Sequence, residues 1–257
     1  MASFEKLLDG IYRLKVPFQE IYTSVFLIET NDGTILFDFA TTSSDAENII
    51  IPALKELDKY PDFLVASHTH GDHVGGLERI YKEYPRSKIL MYDKAYQEEH
   101  KDLDITILEN GQYICARIKA LNLSGHSNVS CVLLDERTNT LLTGDAVQLY
   151  GISHYGLGVS NIKGYIDTIN ILKGLKPENI VTSHEYVPLG AVAFGREATE
   201  TYLNCSIECF EWAKEFILSK LKKSMGDEDI LNEYNCQGLP LISLRHISMF
   251  REYYNLK

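Results

Sequence analysis

Three histidines and an aspartate fall within six residues at His68-Thr69-His70-Gly71-Asp72-His73. Imidazole nitrogen and carboxylate oxygen are borderline donors that suit Zn²⁺, Fe or Mn rather than soft Cu(I). The preceding run, Phe63-Leu64-Val65-Ala66-Ser67, is short and apolar and follows Pro61-Asp62, so it predicts a buried strand entering a loop. After the cluster, Val74, Leu77, Ile80, Tyr81 and Tyr84 recur at helical spacing. His68 and His70 alternate across Thr69 and point one way while the chain stays extended; Asp72 and His73, beyond Gly71, turn toward a second point. One loop can therefore serve two neighbouring metal ions. The plainer alternative is a surface loop rich in histidine, but three of the chain's eight histidines are concentrated here behind a buried strand.

A metal centre needs donors from elsewhere in the chain, and three polar residues each follow an apolar run. His126 follows Leu121-Asn122-Leu123-Ser124-Gly125, Asp145 follows Leu141-Leu142-Thr143-Gly144, and His184 follows Ile180-Val181-Thr182-Ser183. Strand ends are where an α/β sheet presents chemistry to solvent.

The elements around these residues can be read in order. Gly10 to Val16 predicts a strand, and Ser24–Glu29 with Thr34–Phe39 a hairpin about Asn31-Asp32-Gly33. A helix capped by Ser43 or Ser44 follows, with Pro52 an awkward interruption. Lys88–Tyr92 predicts a strand and Asp93–His100 a short helix; Tyr113-Ile114, Ile118–Leu123, Cys131–Leu134, Thr140–Thr143 and Ile180–Thr182 predict further strands, and Tyr165–Leu172 a helix. From Gly195 onward, Ala198, Tyr202, Cys205, Cys209, Trp212, Phe216 and Leu221 keep helical spacing; Gly226 ends that run, and a second helix is expected over about Leu241–Tyr254. The aromatic stripe reads as core packing, and also fits the wall of a substrate pocket.

At 257 residues, with 45% hydrophobic and 24% charged residues, the chain is an ordinary globular protein with room for a substantial core. A net charge of -11 without a basic patch disfavours a nucleic-acid partner. No apolar run reaches the roughly 18 residues of a membrane span, and the first residues lack the basic and apolar regions of a secretory signal. The five cysteines have no framework spacing, which predicts reduced thiols and a cytoplasmic location.

The set His68-x-His70-x-Asp72-His73, His126, Asp145 and His184 resembles the metallo-β-lactamase fold superfamily in order and spacing, over about residues 10–190. The resemblance implies an α/β fold, a four-layered αββα sandwich; the change to helical spacing near Gly195 assigns residues 1–194 to that domain and 195–257 to a C-terminal helical extension packed on it. It implies one metal held by His68, His70 and His126, a second held by Asp72, His73 and His184, and Asp145 bridging them. The chain departs from the family's frequent Thr-Pro-Gly-His-Thr, having Leu-Ser-Gly-His-Ser at 123–127, and from Asp-Thr-Gly, having Asp38-Phe39-Ala40. Asp38 can still orient a ligand histidine.

Two divalent ions about 3.5–4 Å apart lower the pKa of a bridging water, so the expected chemistry is hydrolysis by hydroxide, with Asp72 as proton carrier and Asp145 as its alternative. The chain looks most like glyoxalase II-type thioesterases and lactonases, which implies a carboxyl ester, lactone or thioester of a small molecule as substrate. The ions are expected to be Zn²⁺, with Fe or Mn also suited to the donors. Tyr150, His154 and Tyr155, in the loop after Asp145, and Tyr22 with Phe18 in the first hairpin are candidate substrate contacts. No nucleic-acid or membrane partner is expected, and a homo-oligomer is compatible with the sequence. Other readings are a phosphodiesterase, a mononuclear-iron persulfide dioxygenase, and a non-catalytic binding protein that keeps the fold.

Overall fold

The turn Asn31-Asp32-Gly33 closes a hairpin as its residue types predict, with Glu29 paired to Thr34 and Phe26 to Phe37 across it. The computed structural model describes residues 2–152, 156–237 and 240–255. Seven strands form the first sheet in sequence order: β1 (Glu5–Leu8), β2 (Ile11–Phe18), β3 (Ile21–Glu29), β4 (Thr34–Phe37), β5 (Phe63–Val65), β6 (Lys88–Met91) and β7 (Ile105–Ile107). β1 to β4 are antiparallel; β4 to β7 are parallel, and each parallel step needs a crossover, which here is helical. The second sheet contains β8 (Tyr113–Cys115), β9 (Ile118–Leu123), β10 (Ser130–Asp135), β11 (Thr140–Leu142), β12 (Asn179–Tyr186) and β13 (Gly190–Phe194), in the order β13-β12-β11-β10-β9-β8.

Period-two alternation explains how the first sheet is buried on both faces. Leu14, Val16, Val25, Leu27, Leu36, Leu64 and Ile89 pack with Ile50, Leu54, Leu77 and Ile80 of the crossover helices. On the opposite parity, Phe26, Ile28, Ile35, Phe37 and Val65 are also fully buried. Polar ties join the ends of the two sheets: the Ala116 N–H donates to Asp32 Oδ2 at 2.9 Å, and the Arg117 guanidinium donates to the Glu29 carbonyl at 2.9 Å.

The chain forms two compact units. The first comprises Met1–Asn122, Val129–Gly144 and Val181–His184, and so holds most of both sheets; the second comprises Leu123–Asn128, Asp145–Ile180 and Glu185–Lys257. Its helices Ile162–Gly174, Arg196–Leu221, Asp227–Asn235 and Leu244–Tyr253 share an aromatic core in which the Tyr165 and Phe210 rings lie 4.8 Å apart, and Phe216 meets Tyr234 edge-on at 5.3 Å. Among the described residues no helix is long and apolar enough to cross a membrane.

Several local details depart from the expectations. The Pro52 interruption is absorbed by a π-turn over Ala46–Ile50, where the Ile51 N–H reaches back to the Ala46 carbonyl and Pro52 enters the first turn of the helix Ile51–Glu56. The helix after the histidine cluster is two pieces, Gly71–Val74 and Leu77–Glu83, broken at Gly75-Gly76. Of the aromatic stripe in Arg196–Leu221, Tyr202 and Cys209 are buried, whereas Trp212 is half exposed. β1, β7, β13 and the helix Asp227–Asn235 carry no strong periodic signal and are short or polar.

The break at Gly75 is steric. A Cβ there would lie 1.7 Å from the Thr41 carbonyl oxygen and 2.3 Å from its carbon, both main-chain atoms that cannot swing away. Gly75→Ala is therefore expected to lower stability by about 3 kcal/mol or more. A clear fall in the urea midpoint checks this; a midpoint equal to that of the parent chain would show that the close approach is not a constraint.

Candidate metal centre

Distant chain segments meet at the site in the first unit. Asp38 follows β4, Ser67 and His68 lie just past β5, and Ser183 and His184 lie inside β12 rather than beyond it. Asp38 is fully buried and takes a left-handed backbone conformation, φ 67, which aspartate tolerates better than most residues. Ala40 follows at φ 59, the position where the family pattern often has glycine. The Asp38 carboxylate accepts from the Ser67 N–H at 2.7 Å, from His73 Nδ1 at 2.8 Å and from the Ser183 hydroxyl at 3.3 Å.

These contacts decide which ring nitrogens face inward. His73 Nδ1 is committed to Asp38, which directs Nε2 toward Asp72 Oδ2 at 3.4 Å. His184 Nδ1 is held at 2.8 Å by the Tyr22 carbonyl, which directs its Nε2 to Asp72 Oδ2 at 3.2 Å. One donor atom from each of Asp72, His73 and His184 thus lies within 4.8 Å of the others. His68 Nδ1 lies 3.0 Å from the Ser67 hydroxyl, and its Nε2 faces His70 Nδ1, also at 3.0 Å. His68, His73 and His184 are at most 3% exposed, whereas the Asp72 side chain keeps 18%.

In the second unit His126 and Asp145 are neighbours, with Nε2 3.5 Å from Asp145 Oδ2. The pattern repeats here, because His126 Nδ1 is tethered by the Gly158 carbonyl through a short contact. Gln148, almost fully buried, sits beside both residues: its Nε2 donates to the Asp145 carbonyl at 2.7 Å and to the Tyr186 hydroxyl at 3.1 Å. Burial first, and then the Asp145 carboxylate to which it hydrogen-bonds, raises the Tyr186 phenol well above its usual range.

The donor set fits a divalent cation. His73, His184 and His126 each carry a partner on Nδ1 and present Nε2, the arrangement that fixes tautomer and ring direction in metal sites. The donors are nitrogens with carboxylate oxygen among them, suited to Zn²⁺, Fe or Mn.

Among the candidate substrate residues, Tyr22 enters the site through its main-chain carbonyl, while its ring lies beneath Lys15 Nζ at 4.6 Å. Tyr150 packs against Trp212 at 6.2 Å between ring centres. His154 and Tyr155 lie outside the described residues. Gln148 and Tyr186 were not singled out in the sequence. Their signal was present nonetheless: a glutamine inside the apolar run Ala146-Val147-Gln148-Leu149, and a tyrosine two residues after His184 on the same side of a strand.

The profile of the metallo-beta-lactamase superfamily matches residues 19–184, and the chain belongs to that family. It is similar to the uncharacterized protein YobT of Bacillus subtilis, at 28% identity over 157 residues, 52% of this chain and 64% of that protein. It is also similar to an atrochrysone carboxyl ACP thioesterase of Emericella nidulans, at 26% identity over 175 residues, 67% of this chain and 54% of the relative. The chain thus spans less than two thirds of the length of each of these relatives. Among solved structures, a metallo-β-lactamase from Hirschia baltica superposes with a TM-score of 0.61 at 21% identity, over 80% of this chain and 97% of that one. At that identity the likeness is one of fold, the metallo-β-lactamase sandwich.

The carboxylate of Asp38 is a charged partner of His73 and is not itself a candidate donor. Asp38→Asn keeps the shape but cannot accept from both Ser67 and His73 as a full anion, so retained zinc is expected to fall about 10- to 100-fold in affinity. Metal per chain after dialysis against a weak chelator reads this directly. Undiminished metal would show that His73 needs no carboxylate partner.

Proposed function

We propose that this chain is a metal-dependent hydrolase that cleaves a carboxyl ester, lactone or thioester of a small molecule. The observation that carries the reading is the Asp72 carboxylate, 3.4 and 3.2 Å from two Nε2 atoms whose opposite nitrogens are tethered. The proposal assigns two divalent ions, Zn²⁺ first. As the resemblance implies, His68, His70 and His126 would hold one and Asp72, His73 and His184 the other, with Asp145 as a further carboxylate donor. Family membership supports that assignment, since the match at residues 19–184 spans all seven positions. Divalent ions at such donors polarise a carbonyl oxygen and acidify water.

The rest of the chemistry belongs to the chain. His73 and His184 are closed off from solvent, but Asp72 keeps an exposed edge and can move a proton. Water adds to the substrate carbonyl as Asp72 takes its proton; the C–O or C–S bond then breaks, and that proton passes to the departing alkoxide or thiolate. No covalent enzyme intermediate is needed. Among the three bond types the thioester is favoured, because the Emericella nidulans relative is named as a thioesterase. All five cysteines are free, which fits the reducing, cytoplasmic compartment proposed for it.

The test compares a thioester, a lactone, an aryl ester, a phosphodiester and a β-lactam on the purified protein, each with and without chelator. Chelator-sensitive cleavage confined to the first three is expected, with the thioester fastest. Cleavage confined to the phosphodiester would replace the carboxyl reading. Asp72→Ala is expected to lose at least about 100-fold in kcat while keeping its circular dichroism spectrum, in line with the loss of a general acid–base group. Turnover near the parent rate would remove Asp72 from the mechanism.

A further inference from the structure

His126 and Asp145 are joined, within the second unit, by buried polar side chains that no donor role requires. Gln148, Tyr186 and Tyr165 are at most 1% exposed. Buried amides and phenols are costly unless their bonds are made, so a hydrogen-bonded set in a core marks a geometry being held.

The bonds can be assigned one by one. His126 Nδ1 donates to the Gly158 carbonyl, so it offers no lone pair to Gln148 Nε2, which lies 3.2 Å away. The two amide hydrogens of Gln148 therefore go to the Asp145 carbonyl and the Tyr186 hydroxyl. Having accepted from Gln148, the Tyr186 hydroxyl keeps its own proton to give, and the carboxylate that acts on it is that of Asp145. On its other side Gln148 Oε1 accepts the Gly158 N–H at 3.1 Å, fixing the residue whose carbonyl holds His126. Tyr165 closes the set by accepting the Gln148 main-chain N–H at 2.8 Å, and is bonded to neither donor residue.

We propose that Gln148 and Tyr186 are positioning residues, a single amide–phenol clamp that orients His126 and Asp145 together for a divalent cation. One end of the clamp fixes the His126 tautomer through Gly158; the other holds the Asp145 main-chain carbonyl and sets the Tyr186 hydroxyl toward the Asp145 side chain. The inference rests on the metal reading above and assigns to it two residues outside the ligand set.

The experiment titrates Zn²⁺ alone into metal-stripped full-length protein, in competition with a chromophoric chelator. Tyr186→Phe and Tyr165→Phe each delete one hydroxyl from the same buried network, so their thermal midpoints should fall by comparable amounts. Zinc affinity should separate them. Tyr186→Phe is expected to lose about 10- to 100-fold, the usual cost of removing a partner of a ligand, while Tyr165→Phe stays within about twofold. Gln148→Glu, which presents a second carboxylate where Tyr186 and the Asp145 carbonyl need a donor, is expected to lose at least as much as Tyr186→Phe. Equal affinity for Tyr186→Phe and the parent would overturn the clamp, as would equal losses in the two phenylalanine variants, which would indicate a merely structural role. A parent chain that binds no zinc would instead overturn the metal reading, and the clamp with it.

Discussion

The buried carboxylate of Asp38 is the constraint from which the first unit's site is built. An isolated carboxylate in such a place would cost many kcal/mol, and it remains there because three donors meet it. Bonds to a charged group are each worth about 1.5–3 kcal/mol, so three of them offset a substantial part of that cost. What they join matters as much as their strength. The Ser67 main chain follows β5, His73 lies in the loop's first helical turn, and Ser183 lies in the second sheet, so one anion fixes two sheets and the ligand loop relative to one another. The left-handed φ at Asp38 and again at Ala40 is the local strain accepted to bring that carboxylate inward.

A second regularity follows from the first. His73, His184 and His126 each engage Nδ1 and present Nε2, but their partners differ: a carboxylate for His73 and main-chain carbonyls for the other two. A carboxylate raises the basicity of its imidazole more than a neutral carbonyl does, so the three are not equivalent donors. His73 is the strongest of the three, and it lies beside Asp72, whose side chain keeps 18% exposure. The most electron-rich of the three histidines and the Asp72 carboxylate therefore belong to the same half of the donor set.

Much of this was legible in the sequence. The ligand loop, the Asp-Gly hairpin and the three polar residues after apolar runs all rest on local patterns, and local patterns survive folding. What was not legible depends on approach between distant segments. Gly75-Gly76 reads as a flexible interruption until the Thr41 and Phe39 carbonyls are found against it. Tyr22 reads as a ring that could touch substrate, yet it enters the site as a carbonyl, and no side-chain pattern announces that. Gln148 was hidden for a similar reason: a polar residue in an apolar run looks like noise until its four partners are known. The short strands β1, β7 and β13 were missed because three to five residues carry too little periodicity to outweigh their turn-like neighbours.

The C-terminal helices acquire a reason from the same network. Leu157 donates its N–H to the Leu241 carbonyl at 3.0 Å, so the segment leading into the helix Leu244–Tyr253 holds the strand of chain that carries Gly158. Gly158 in turn fixes His126 through its carbonyl and Gln148 through its N–H. Phe210 packs on Tyr165, whose hydroxyl receives the Gln148 main chain, so the long helix Arg196–Leu221 bears on the same glutamine from the other side. A helical extension that merely covered apolar surface would need aromatic contacts alone. This one also supplies the hydrogen-bonded backing for His126 and Asp145, and both belong to the same compact unit as residues 185–257.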